Sequence, residues 1–238
     1  MRTSNSKLFY SILFPFTFVA LLWLIFLFEL VEDVNLSWYG LFPRTLHGML
    51  GILTSPLLHA DFDHLWSNSI PLLVLGPIIM YFYRPIAFQI FFWVYLMTGI
   101  WVWAAGRSYY HIGASGIIYG FVTFVFFSGV FRKDPRLLAL SLFVAFIYGG
   151  TVWGILPIAQ GISFESHLLG SLAGLITAYN FRKEGPPPVI YDLGTDEEND
   201  AIDVSGEEYP GDEEEKKTFH IEYTYLPKED DQKKENEL

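Results

Sequence analysis

The chain of 238 residues contains no cysteine. Disulfides, a thiol nucleophile, thiolate-held zinc and iron–sulfur clusters are excluded together. Charge is scarce as well, with Asp, Glu, Lys and Arg making up 17% of the residues, against about 25% in an ordinary soluble domain. Basic residues are few: 15 Lys and Arg stand against 26 Asp and Glu, for a formal net charge of −11. That balance excludes sequence-unspecific nucleic-acid binding, which needs a basic surface. What the chain has instead is apolar residues, at 52%, with 18% aromatic. This composition places it among membrane proteins before any segment is read.

The acidity belongs to one end. Residues 182–238 hold 7 Lys and Arg and 19 Asp and Glu, whereas residues 1–181 hold 8 and 7. The body is therefore nearly neutral. Its first apolar run spans about residues 8–30, behind Arg2 and Lys7. It is longer than a signal-peptide core and has no small-residue cleavage site after it, so it reads as a retained transmembrane helix. Five more apolar segments follow, at about 65–83, 86–104, 115–131, 137–156 and 166–181, near the length a bilayer requires. Six spans place both termini on one side. With the termini inside, Arg2, Lys7, Arg84, Arg132, Lys133, Arg136, Arg182 and Lys183 lie on the inner side and Arg44 and Arg107 on the outer. The positive-inside rule then makes both termini cytoplasmic.

Residues 31–62 join the first two spans with many large apolar side chains, interrupted by Gly40, Pro43, Gly48, Gly51 and Pro56. Nothing there is long enough to cross, so a structured loop at the membrane interface is expected, backed by protein that satisfies its backbone. At the other end, Gly185-Pro186-Pro187-Pro188 stops the last helix. The domain division is thus 1–183 for the membrane body and 184–238 for an acidic tail expected to be disordered. No partner for the tail can be named, although Phe219, Ile221, Tyr223 and Tyr225 alternate like one face of a strand.

Polar residues inside spans are costly and mark functional sites. The second span opens with His64 and Asn68, four residues apart and so on one helix face, after His59 in the entering loop. The fourth opens Gly113-Ala114-Ser115-Gly116, with Tyr119 one turn on. The sixth carries His167, Gly170 and Gly174, within about 60° of one another around a helix. Glycines on that stripe let another helix approach closely, so His167 faces protein. Ser115 at a helix start meets unpaired amides and a positive dipole end, which suit a developing oxyanion. A hydroxyl, a base and side-chain donors are the parts required for nucleophilic acyl transfer.

Each element has a plainer reading. A GxSG tetrapeptide is a weak signal by itself, since Gly and Ser in membrane helices usually mark close packing. A lone His at a span end is more often interfacial. His59 and His64 as metal ligands would sit about 140° apart on a helix, and no HExxH is present, so neither metal nor cofactor is expected. His47 and His111 fit no constellation, and Glu165 and Ser166 read as loop residues at the water boundary. An α/β-hydrolase elbow needs G-x-S-x-G, but Ile117 holds its last position.

The conjunction is what carries meaning: His-x4-His-x3-Asn, then GxSG, then His-x2-Gly-x3-Gly, on alternate spans. In this the chain resembles the rhomboid family of intramembrane serine proteases, in its six-span bacterial form, over about residues 9–181. The resemblance implies an all-α polytopic fold, a six-helix bundle with a membrane-embedded first loop, in the bacterial inner membrane. It implies Ser115 as nucleophile and His167 as base, with no carboxylate completing a triad. His64 and Asn68 become the oxyanion side, with the Gly113 and Ser115 backbone near the same oxygen. Tyr119 is implied to pack on His167, and His59, Gly116, Gly170 and Gly174 to be structural. The first loop reads Leu50-Gly51 where many members carry Trp-Arg. The implied substrates are transmembrane segments of other proteins, cleaved within the bilayer. An inactive relative that only binds transmembrane helices is the alternative; such proteins usually lack the serine or the histidine, and this chain has both. A carrier or channel would spread its polar residues along a pathway, whereas here they gather at one end of the spans.

Overall fold

A computed structural model describes residues 2–157 and 163–185. The acidic tail lies outside the described residues. The described part is helical throughout: α1 Arg2–Glu32, α2 Gly51–Thr54, α3 Phe62–Phe82, α4 Ala87–Ala105, α5 Ser115–Arg132, α6 Pro135–Tyr148 and α7 Phe164–Asn180. Among the described residues the only β-type pairing is an isolated bridge between Leu41 and His111.

Among the described residues, five helical segments are long and apolar enough to cross a membrane: Ser6–Glu32, Phe62–Phe82, Arg84–Ala105, Ser115–Arg132 and Pro135–Ile155. The fifth changes character along its length, being α-helical to Tyr148 and 3-10 from Gly149 to Ile155. Helix α7, expected as a sixth span, has 17 residues, at the lower limit for crossing. Unlike α1, whose apolar side chains are largely exposed, α7 is packed against α4 and α5 and buries Ala173 and Ala178.

Local chemistry sets the helix starts. Asp61 caps α3 by accepting the His64 amide at 2.7 Å. Asp134 caps α6 through the Arg136 and Leu137 amides, with Pro135 in the first turn where its missing N–H costs nothing. Ser163 caps α7 by accepting from the Ser166 amide at 3.3 Å. Pro15 in α1 and Pro71 and Pro77 in α3 sit inside helices, as membrane helices tolerate. Pro15 lies against Gly76, where a side chain would collide with its ring. Trp23 donates to Ser69 across the same pair of helices, at 3.0 Å.

The first loop is structured and backed by protein. It winds through short helical turns at Ser37–Tyr39, His47–Met49, α2 and Ser55–Leu57. Its backbone is satisfied within its own turns and, between them, by the end of α4 and the segment after it, to which its side chains also bond. The Arg44 amide donates to the Trp103 carbonyl at 2.9 Å, the Arg44 guanidinium to the Gly106 carbonyl at 2.7 Å, and Trp103 Nε1 to the Thr45 carbonyl at 2.9 Å. Leu41 and His111 exchange two amide–carbonyl bonds. Large apolar side chains remain exposed on this loop, among them Trp38, Leu46 and Leu53.

Helices α5 and α7 pack backbone against backbone. A β-carbon on Gly170 would run into the Gly116 carbonyl, and one on Gly174 into the Gly120 carbonyl. The two backbones touch because neither helix carries a side chain there, the close approach that small residues permit between membrane helices. Gly120 belongs to this contact along with the three glycines anticipated from the sequence.

Candidate active site

Ser115 is the first residue of α5, and its Oγ lies 2.8 Å from His167 Nε2 on α7. The other ring nitrogen, Nδ1, is 2.9 Å from the main-chain carbonyl of Gly154. A carbonyl only accepts, so the Nδ1 proton is held there and Nε2 presents its lone pair to the Ser115 hydroxyl. Tyr119, one turn along α5, stacks on the imidazole with ring centroids 4.1 Å apart and planes 7° from parallel. Its hydroxyl donates to the Thr151 carbonyl at 2.8 Å. Gly154 and Thr151 both belong to the 3-10 stretch after α6, which therefore braces the His–Tyr stack from behind.

His64 and Asn68 come to the same place from α3. The His64 ring closes over Gly113, where any β-carbon would meet it. Gly113 also has φ of +106°, a conformation that suits glycine. Its amide is taken by the Ser55 carbonyl at 2.8 Å. The amides of Ser115 and Gly116 open α5, where no intrahelical acceptor exists. Asn68 is buried and uses one N–H on the His64 carbonyl at 3.0 Å, leaving its second N–H. His64, Asn68, Ser115, Tyr119 and His167 together line a cavity of about 650 Å³. The structure thus brings the polar residues anticipated from three separate spans around one cavity.

His59 lies behind His64, ring centroids 5.1 Å apart and edge to face. It is buried, and neither ring nitrogen has a hydrogen-bond partner. Burial, and next the neighbouring His64, hold its pKa down at about 3, so the ring is neutral. His47 stays outside the site, stacked on Trp38 at 4.7 Å. Among the described residues no group of three or more His, Asp or Glu side chains is placed to share a metal ion.

Three sequence expectations change here. His111 does belong to a constellation: it is 2% exposed, and its Nδ1 lies 2.6 Å from Ser163 Oγ. Burial pushes its pKa down. Glu165 and Ser166 are residues of the first turn of α7, because the Ser163 cap starts the helix before them. Glu165 pairs with Arg107 and accepts from Tyr109 Oη at 3.1 Å; the bond to Glu165 raises the Arg107 pKa. The Gly154 carbonyl had no sequence signal, since a main-chain acceptor is common to every residue. Arg107 and Glu165 did leave a faint one: opposite charges just after one helix and in the first turn of another.

Residues 46–184 match the model of the rhomboid domain. An uncharacterized protein of Mycobacterium tuberculosis is 36% identical over 177 residues, covering 68% of this chain and 72% of its own. One from Mycobacterium leprae is 32% identical over 178 residues, covering 68% of each. A Bacillus subtilis protein named "Putative rhomboid protease YdcA" is 27% identical over 204 residues, covering 75% of this chain and 94% of its own. With the domain match extending over more than half of its length, this chain belongs to the rhomboid family.

Proposed function

We propose that this protein is an intramembrane serine endopeptidase that cleaves transmembrane segments of other membrane proteins with a Ser115–His167 dyad. The observation that carries the reading is the 2.8 Å contact from Ser115 Oγ to a His167 Nε2 whose tautomer is set by the Gly154 carbonyl. A serine hydroxyl is a weak nucleophile until a positioned base takes its proton. Here the base needs no carboxylate behind it, because the carbonyl and the Tyr119 stack orient the ring.

In the reaction, Ser115 Oγ attacks the scissile carbonyl carbon while its proton passes to His167 Nε2. The oxyanion that forms faces the Ser115 amide, the His64 ring and the free N–H of Asn68. Gly113 contributes by its shape, since its own amide already has an acceptor. Protonated His167 then delivers the proton to the departing amine nitrogen. A water molecule attacks the acyl carbon, gives its proton to His167, and Ser115 leaves with that proton restored. The substrate helix must unwind locally to present a carbonyl, which favours small or helix-breaking residues near the outer boundary of the membrane. His59, Gly116, Gly170 and Gly174 are assigned structural roles.

In this reading α7 is the sixth span, both termini are cytoplasmic and the bilayer is that of a bacterial inner membrane. Residues 184–238 form a separate tail that cleavage does not need. The test is labelling of the purified protein by a serine-directed fluorophosphonate, alongside cleavage of a model transmembrane substrate. Ser115→Ala is expected to lose both, and His167→Ala to lose cleavage with little labelling left. Cleavage persisting in Ser115→Ala would overturn the proposal, and binding of transmembrane helices without labelling or cleavage would establish the inactive alternative.

A further inference from the structure

The Ser115–His167 contact is one rung of a longer seam. Four residues before Ser115 stands His111, and four before His167 stands Ser163; these two are joined at 2.6 Å. Below the dyad the seam continues as the backbone contacts of Gly116 with Gly170 and of Gly120 with Gly174. The two segments therefore run in parallel at nearly constant offset. Below the dyad the spacing is held by glycine packing. Above it the spacing depends on side chains.

The chemistry at the upper rung is determinate. His111 Nε2 lies 3.1 Å from the Arg107 carbonyl, which only accepts, so Nε2 carries the proton. Nδ1 is then an acceptor, and the Ser163 hydroxyl donates its hydrogen bond to it. Ser163 Oγ in turn accepts the Ser166 amide at 3.3 Å and lies 2.7 Å from Ser166 Oγ. His111 is fixed by its backbone pairing to Leu41 and by a stack on Tyr109 with centroids 4.1 Å apart. Beside this rung Arg107 grips Glu165 on the same first turn, with Nη2 to Oε2 at 3.1 Å and its guanidinium 4.5 Å above the Phe164 ring. Residues 107–114 thus hold the start of α7 by two polar links, and the same segment leads directly into Ser115.

We propose that His111, and with it the Arg107–Glu165 pair, are positioning residues that set the distance between the nucleophile and the base. They hold the first turn of α7 against the loop that delivers Ser115. The inference rests on the serine-protease reading. Misplacing a reacting group by about 1 Å costs on the order of 10²-fold in rate, so losing the upper rung acts on turnover while the substrate contacts stay.

The experiment compares His111→Leu with His111→Asn, in which the amide oxygen can take the place of Nδ1 as acceptor for Ser163. Rates of fluorophosphonate labelling, kcat and KM for a model transmembrane substrate, and melting temperature are measured for each. His111→Leu is expected to lower the labelling rate and kcat by about 10- to 100-fold with KM within about twofold, and His111→Asn to recover most of the loss. Arg107→Gln and Glu165→Gln should each lower kcat, and the double variant should be no slower than the slower single, because both remove one link. Wild-type labelling and kcat in His111→Leu would overturn the proposal. So would equal loss in the Leu and Asn variants tracking a lowered melting temperature, which would make His111 a folding residue only. Failure of the unaltered protein to label at Ser115 would instead overturn the protease reading, and the positioning roles with it.

Discussion

The main-chain carbonyl of Gly154 accepts the Nδ1 proton of His167 at 2.9 Å, thirteen residues upstream in the chain. This link does for the imidazole what a carboxylate does in a triad: it holds the tautomer and the ring plane. It adds no charge. Gly154 is required as glycine, because a β-carbon there would strike the Tyr119 hydroxyl. Gly154→Ala is therefore expected to displace the stack and lower kcat by about 10²-fold. Gly149→Ala and Gly150→Ala, where an added β-carbon meets nothing within 4 Å, should leave kcat nearly unchanged. Steady-state cleavage assays of the three variants check this, and equal effects at all three positions would refute it.

On the opposite wall, His64→Ala and Asn68→Ala should reduce turnover more than substrate affinity, because in the proposed reaction these donors act on charge that exists only in the transition state. Loss of one such donor costs on the order of 10²–10³ in rate where nothing replaces it; the Ser115 amide will soften the loss. The assay is kcat against KM for each single variant. Wild-type kcat in both would remove α3 from the oxyanion site.

The glycine seam predicts a stability effect. Gly170→Ala and Gly174→Ala push a methyl group into the carbonyls of Gly116 and Gly120, and overpacking of this kind costs about 1–3 kcal/mol. Both variants should melt earlier in detergent. Gly170→Ala should also slow labelling, since it lies one turn from His167 and wedges α7 away from Ser115.

Acid should weaken the fold through His59. Its pKa is about 3 when folded against an ordinary 6.5, so below pH 6.5 the unfolded chain binds a proton that the folded one refuses. Stability then falls as pH drops from 6.5 toward 3, and rises with pH over that window. At 1.36 kcal/mol per unit, this group alone makes the fold about 2 kcal/mol less stable at pH 5 than at pH 7. Melting curves of the unaltered protein and of His59→Phe at the two pH values test this. The variant should show the smaller decline, and identical declines would exclude His59 as the source.

The helices and the polar residues gathered at their ends were legible in the sequence because their signals are local. An apolar run of membrane length reads as a span whatever surrounds it. Four-residue spacings such as His64 to Asn68 and Ser115 to Tyr119 put side chains on one face without knowledge of any partner. The His167-Gly170-Gly174 stripe even announced that something would come close. Tertiary structure alone decided what that something was: Gly116 and Gly120, at the offset that sets Ser115 opposite His167. It also decided that the Gly154 carbonyl, the Ser163 hydroxyl and Glu165 would be the groups met by His167, His111 and Arg107. Those pairings join residues 13, 52 and 58 positions apart, and two of them use a main-chain acceptor or a serine that any loop could supply. Periodicity along one segment cannot encode which distant backbone group will face a ring. Only the packing of α5 against α7, with α6 continuing as a 3-10 turn behind them, determines it.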